Sequence, residues 1–435
     1  MRPDLVLEAK AWVRGAFQDV EIGLDHEAGK ILAIKRNLPG TPRTRFPGKL
    51  LVPSGVDLHV HLRDPGSPAK EDFRSGTLGA ALGGVGTVLD MPNTDPVVDR
   101  LSRFEEKRDR VASKACVDWG LWSTFTPQTT RHLDLAMQSV GVKLYLAPTT
   151  GIPEAGTAQD LSQRLLFAAK ADRLVALHAE TPPTRPPATL VEHDASRPAQ
   201  GEVAAIEAAA RAAPADAAVH VCHATTAQAA RAASKAGWSA GATPHHLLLA
   251  NDATSLGAFA KVNPPLRPVA ERDGLWHAFA GGEVPILESD HAPHTREEKG
   301  RPFTEAPAGV PGVETMLPLL LHEARTRGLD AGRVLEAACA APGRLLGLPK
   351  GQIEPGYDAD FFAYDPRAPR KLRGSDLQSR CGWTPFEGRE AIVVAAHYLH
   401  GDLVVEGGRF VGRAGRGRMV RAQSPPKRRV PEGAA

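Results

Sequence analysis

Residues 50–65 read LLVPSGVDLHVHLRDP, an almost unbroken apolar run that ends in two histidines, His59 and His61. Residues two apart on a β-strand project from the same face, so both imidazoles point one way. A run that is apolar on both parities belongs to a strand buried on both faces, as in a parallel sheet covered by helices. Two like-facing imidazoles at the end of such a strand suit a divalent cation, because imidazole is a common ligand for zinc and its neighbours. The same pair also fits a half-exposed strand with two polar residues. The rest of the chain separates the two readings.

From Leu51 onward, strand, loop and helix repeat. After the opening run the strand candidates are GTVLDMPN, CVDWGLWST, VKLYLA, RLVALHAE, AVHVCHA, SAGATPHH and VPILESD. Ala- and Leu-rich helical stretches lie between them, for example FRSGTLGAALGG, TAQDLSQRLLFAAKA and TTAQAARAASKAG. Strands alternating with helices in this way predict an α/β fold, a (β/α)8 TIM-type barrel over 53–345. Gly241 and Pro244 interrupt the seventh strand. Residues 1–52 and 346–412 read instead as short strands separated by turns. Together they predict a small β-sandwich domain built from the N- and C-terminal segments beside the barrel.

Composition bounds the class. The chain has 435 residues, 42% hydrophobic and 24% charged, as expected for a soluble globular protein with ample core. The net charge of +3 is unevenly placed: the segment from Gly412 onward holds seven Lys/Arg against Glu432, leaving the rest at −3. Such a body is not a nucleic-acid binder, and 413–435 reads as a basic, flexible tail. The four cysteines lack CxxC spacing, no charged-then-apolar leader precedes Leu5, and no apolar stretch approaches the ~20 residues of a membrane span. The expectation is a cytoplasmic protein without membrane contact.

The candidate ligands fall at the carboxyl ends of different strands, where barrel enzymes place their chemistry. His59 and His61 end the first, His178 the fifth, His223 the sixth and Asp290 the eighth, with Lys143 in the fourth. A lone histidine at a strand end is usually structural, but this many groups over five strand ends point to a metal site. Lys143 is open on chemistry alone. It reads as an ion-paired surface lysine, or as a neutral lysine that adds carbon dioxide to become a carbamate favoured by nearby cations.

HVHLRDPG, MPNT at Met91, HAE at His178, CH at His223, PHHL at Pro244 and SDHAPHT at Ser289 resemble the dihydroorotase branch of the amidohydrolase superfamily. VPGVETMLPLLL from Val310 and WTPFEG from Trp383 extend the resemblance over the barrel and part of the C-terminal segment. GVKLYL is similar to the form with a carboxylated lysine, as in the dihydroorotase domain of the multifunctional animal pyrimidine enzyme. The resemblance implies two zinc ions bridged by carboxylated Lys143 and a hydroxide, one held also by His59, His61 and Asp290, the other by His178 and His223. It implies Asp290 as the catalytic base and acid of a cyclic amide hydrolase in pyrimidine biosynthesis. The animal domain uses a cysteine matching Cys222 for a further metal; the glutamate expected near Gly241 is absent, so Cys222 reads as a packed small residue.

Arg63 shares the parity of His59 and His61, so it is expected to aim a guanidinium fork into the same cavity. The resemblance places it on a substrate carboxylate with Asn93 and His294, adds Asn263 at the ring, and puts Thr149 and Thr150 on a loop that closes over substrate. His245 and His246 read as packing groups. The rival readings are another cyclic amidohydrolase (allantoinase, hydantoinase or dihydropyrimidinase), which would share the ligands, and a non-catalytic homologue that binds aspartate transcarbamoylase. A homodimer and a complex with that transcarbamoylase are further expectations of the resemblance.

Overall fold

The computed structural model describes residues 3–39, 42–148 and 158–423. The barrel strands are Gly55–Val60, Val85–Asp90, Asp118–Leu121 continued by Ser123–Thr124, Gly141–Tyr145, Leu174–His178, Val219–Val221, Ser239–Ala242 and Ile286–Leu287. Successive strands pair in parallel. A parallel bridge between Val60 and His291 joins the last strand to the first, with the His61 amide donating to the His291 carbonyl at 2.7 Å. Every residue of the first strand is buried, as its uninterrupted apolar run requires. The fold is a (β/α)8 barrel with an attached β domain.

Some of the helices between the strands begin at side-chain caps. Asp72 and Ser75 form a capping box ahead of Phe73–Leu82, and Thr226 caps Ala227–Lys235. The two residues that interrupt the seventh strand in the sequence each have a local reason. Pro244 lies beyond the strand, in the first turn of helix Pro244–Leu248, where its missing N–H has no partner to lose. Gly241 stays in the strand, where a Cβ would come within 2.6 Å of Glu288 Oε1.

Both ends of the chain build the second domain. Leu5–Val13, Ala16–Asp25, Lys30–Lys35 and Arg43–Pro53 join Phe361–Tyr364, Val394–Leu399, Asp402–Glu406 and Arg409–Phe410 in one eight-stranded sheet. Alternation sorts its faces. Leu7, Ala11, Leu51 and Phe361 pack in a core of their own, while Val52, Phe362 and Val404 join the barrel core. Between the domains, the buried Lys350 ammonium meets Asp118 at 2.7 Å, Asp358 at 2.7 Å and Asp360 at 2.6 Å. Lys350 thus fills the centre of an acidic cluster that also contains His400.

Residues 413–423 depart from the flexible tail that their charge suggests. The Trp119 amide donates to the Arg418 carbonyl at 3.0 Å, and the Val420 amide donates back to Trp119 at 2.7 Å. The Arg418 amide also donates to Asp118 at 2.8 Å. Backbone pairing along the edge of the third strand outweighs the charge pattern of this segment; residues 424–435 lie outside the described ones. Among the described residues no helix is long and apolar enough to cross a membrane.

Candidate active site

One cavity at the carboxyl ends of the strands is lined by His59, His61, Arg63, Lys143, His178, His223 and Asp290, together with Asn93, Tyr145 and Asn263. His59 lies in the first strand and His61 just past it; Lys143 and His178 lie in the fourth and fifth. His223 and Asp290 sit beyond their strands with φ of 40° and 43°, and Arg63 with φ of 57°. Left-handed backbone at non-glycine residues costs free energy and collects where a site demands a particular side-chain direction. Arg63 therefore reaches the cavity by a backbone turn and not by strand parity, since the strand has already ended at Val60.

The ligand-type atoms form two groups. His59 Nε2 and His61 Nε2 lie 3.3 Å and 3.2 Å from Asp290 Oδ1. His178 Nδ1 lies 3.0 Å from His223 Nε2. Zinc bonds of about 2.0–2.1 Å at tetrahedral angles set ligand atoms roughly 3.3 Å apart, so both groups have the spacing of a coordination edge. Protonation states agree. Burial pushes His61 down to about 3 against the pull of Asp290, and burial also lowers His178 and His223, so these imidazoles are neutral near pH 7. Burial alone would raise the Asp290 carboxyl, but His59 and His61 hold it well below the usual carboxylate range.

The far ring nitrogens of His178 and His61 have hydrogen-bond partners of their own, whereas those of His59 and His223 have none among the described residues. His178 Nε2 lies 3.0 Å from Glu180, which also receives Arg197. His61 Nδ1 lies 2.8 Å from Asn93 Oδ1, and His59 Nδ1 lies 3.5 Å from Glu288. Such contacts fix the orientation and tautomer of a metal-binding imidazole. Asn93, expected on substrate, lines the cavity but spends its carbonyl oxygen on His61. Glu180 and Glu288 escaped the sequence reading, although each lies two residues from a proposed ligand, His178 and Asp290, and that spacing was available as a signal.

Lys143 is buried, and its ammonium donates to Cys222 Sγ at 3.1 Å. Among the described residues no carboxylate lies within ion-pair distance of it, which sets aside the surface ion-pair alternative. An uncompensated buried ammonium is unfavourable, and conversion to a carbamate would replace it with an anion that cations held by the neighbouring imidazoles would compensate. A carboxylate does stand beside Gly241, from just past the last barrel strand. Glu288 occupies that space, and ligand-type atoms of His59, Cys222 and Glu288 lie within 4.8 Å of one another. Cys222 is packed in a buried apolar cluster, as expected of a small residue, and its sulfur also accepts from Lys143.

The profile described as Amidohydrolase family matches residues 50–408. The chain belongs to the amidohydrolase family. Its relatives include a dihydroorotase of Halobacterium salinarum, 38% identical over 82% of this chain and 86% of that protein. An allantoinase of Rubrobacter xylanophilus is 34% identical over 97% of this chain and 98% of its own. Among solved structures, an L-hydantoinase (dihydropyrimidinase) from Arthrobacter aurescens superposes with a TM-score of 0.90 at 25% identity, covering 96% of this chain and 99% of that one.

In this amidohydrolase the far end of the cavity is cationic. Arg63 is buried, and its partners are neutral: the Pro293 carbonyl at 3.4 Å and His294 Nε2 at 3.3 Å. Asn263 lines the cavity with Oδ1 3.0 Å from His193 Nε2. His294 is fully buried behind Arg63, its Nε2 3.0 Å from the Ala308 carbonyl. Thr149 and Thr150 lie outside the described residues. His291 turns away from the cavity to Glu71 at 3.1 Å, while His246 holds Thr243 and the Pro264 carbonyl.

Proposed function

We propose that this amidohydrolase is a dihydroorotase, which interconverts N-carbamoyl-L-aspartate and L-dihydroorotate with the aid of two zinc ions. The observation that carries the reading is Arg63. A buried guanidinium with no carboxylate within ion-pair distance among the described residues, in the same cavity as four imidazoles and Asp290, suits an anionic substrate. The dihydroorotase relatives support the choice.

His59, His61 and Asp290 would hold one cation, His178 and His223 the other, with carboxylated Lys143 shared. The bound cations would polarise the ring carbonyl and acidify water. Arg63 binds the ring carboxylate and orients the amide, with Asn263 beside it. Asp290, ionised at neutral pH, accepts a proton from the water that attacks the carbonyl carbon. It then returns that proton to the ring nitrogen as the C–N bond breaks. In the reverse direction Asp290 takes the proton of the ureido nitrogen as that nitrogen closes the ring, and returns it to the departing oxygen, which leaves as water.

The allantoinase relative and the hydantoinase structure favour a second reading, a neutral cyclic amide as substrate. Purified zinc-loaded protein supplied with bicarbonate should open dihydroorotate and leave allantoin and hydantoin unchanged. The opposite pattern would assign the second reading.

A further inference from the structure

Among the described residues, the groups facing the two ring nitrogens of His294 are these. Nδ1 faces the Lys70 ammonium at 3.3 Å and, farther off, Glu298 Oε2 at 3.7 Å. Nε2 faces the Ala308 carbonyl at 3.0 Å and Arg63 Nη2 at 3.3 Å. An ammonium has three donors and no acceptor. Nδ1 must therefore offer its lone pair to Lys70, and the ring proton sits on Nε2, where it is donated to Ala308. A second proton is disfavoured, because Arg63, Lys70 and Lys299 surround a ring removed from water.

The place of that proton decides what Arg63 does. With Nε2 protonated, Nε2 and Arg63 Nη2 are neighbouring donors, and the guanidinium stays available to an anion. With the proton on Nδ1, a bare Nε2 would accept from Arg63 and would repel the Ala308 carbonyl. Ala308 and Gly309 line the cavity, so both the fork and the wall would lose their placement. Lys70 is itself held by Glu298, whose Oε1 lies 2.9 Å away and whose Oε2 accepts from the Thr295 amide at 3.1 Å.

We propose that Lys70 is a positioning residue for the carboxylate-binding end of the cavity. It keeps the His294 proton on Nε2, which leaves Arg63 uncaptured and the Ala308–Gly309 segment seated. This rests on the anionic-substrate reading above, and its test has a readout independent of that reading.

The test uses zinc-loaded protein carrying 15N-histidine, with His294→Gln identifying the His294 signals. Nitrogen–proton correlation should show the Nε2–H tautomer in wild type and in Lys70→Arg, and a shift toward Nδ1–H in Lys70→Met. The KM for dihydroorotate should rise about ten-fold in Lys70→Met, with kcat nearly unchanged and Lys70→Arg restoring both. An Nδ1–H tautomer in wild type, or a Lys70→Met protein with unaltered spectrum and KM, would overturn the proposal. So would equal loss in kcat and kcat/KM without rescue by arginine. Should Lys70→Met not fold, the tautomers of wild type and Lys70→Arg decide it. A wild type that ignores dihydroorotate would remove the functional reading while the spectrum still judged Lys70.

Discussion

Glu180 Oε2 lies 3.0 Å from His178 Nε2, so the proton of that imidazole is drawn away from the cavity and Nδ1 is left to face His223. Removing the charge while keeping the shape isolates this effect. Glu180→Gln should weaken zinc binding by about 10–100-fold. Competition against a chelator measures it, and an unchanged affinity would show that Glu180 serves only Arg197.

Arg63→Met should raise KM for dihydroorotate and lower kcat/KM by roughly ten-fold or more, the scale of a hydrogen bond to a charged group. Steady-state kinetics on dihydroorotate and on a ring lacking the carboxylate separates anion binding from general damage. Equal losses on both rings would remove Arg63 from carboxylate recognition.

Asp290→Asn should keep the fold and lose about 10²–10⁴-fold in kcat, because no carboxylate remains to carry the proton. Turnover near that of wild type in a metal-loaded variant would take Asp290 off the proton's path.

His397 gives a pH dependence apart from the site. It is buried between the sheet and the first barrel helix, with ring nitrogens 2.7 Å from Ser54 Oγ and 2.7 Å from the Ala81 carbonyl. Burial pushes it down to about 4, against the raising effect of the carbonyl. The unfolded ring takes up a proton near 6.5 and the folded ring does not, so its contribution is complete above about 6.5 and is lost as pH falls toward 4, by roughly 3 kcal/mol. Denaturant unfolding across that range should show a shallower slope for His397→Asn than for wild type. Identical slopes would contradict the assignment.

Lys350→Met should leave Asp118 and Asp360 without their ammonium partner, Asp358 keeping Lys30, and cost about 3–5 kcal/mol of stability. Chemical denaturation checks this, and a loss within experimental error would mean the cluster is well solvated.

Legibility followed the range of the interactions. The barrel and the meeting of these side chains in one cavity were readable because they depend on local quantities: apolar run length, strand–helix alternation, and histidines at strand ends. What escaped depends on contacts between distant segments. The direction of Arg63 comes from a left-handed turn that no strand parity encodes. The carboxylate beside Gly241 comes from Glu288, just past the next strand, so searching near Gly241 in sequence could not find it. The surroundings of Lys143 became visible only once the fourth and sixth strands were placed together.

The pairing of Arg418 and Val420 with Trp119 has a consequence for the order in which the molecule is made. Ser123–Thr124 pairs with the fourth strand, whereas Asp118–Leu121 meets the second strand on one edge and residues 418–420 on the other. Those residues leave the ribosome after every barrel strand. The third strand therefore waits for the partner along its far edge until nearly three hundred further residues have been translated.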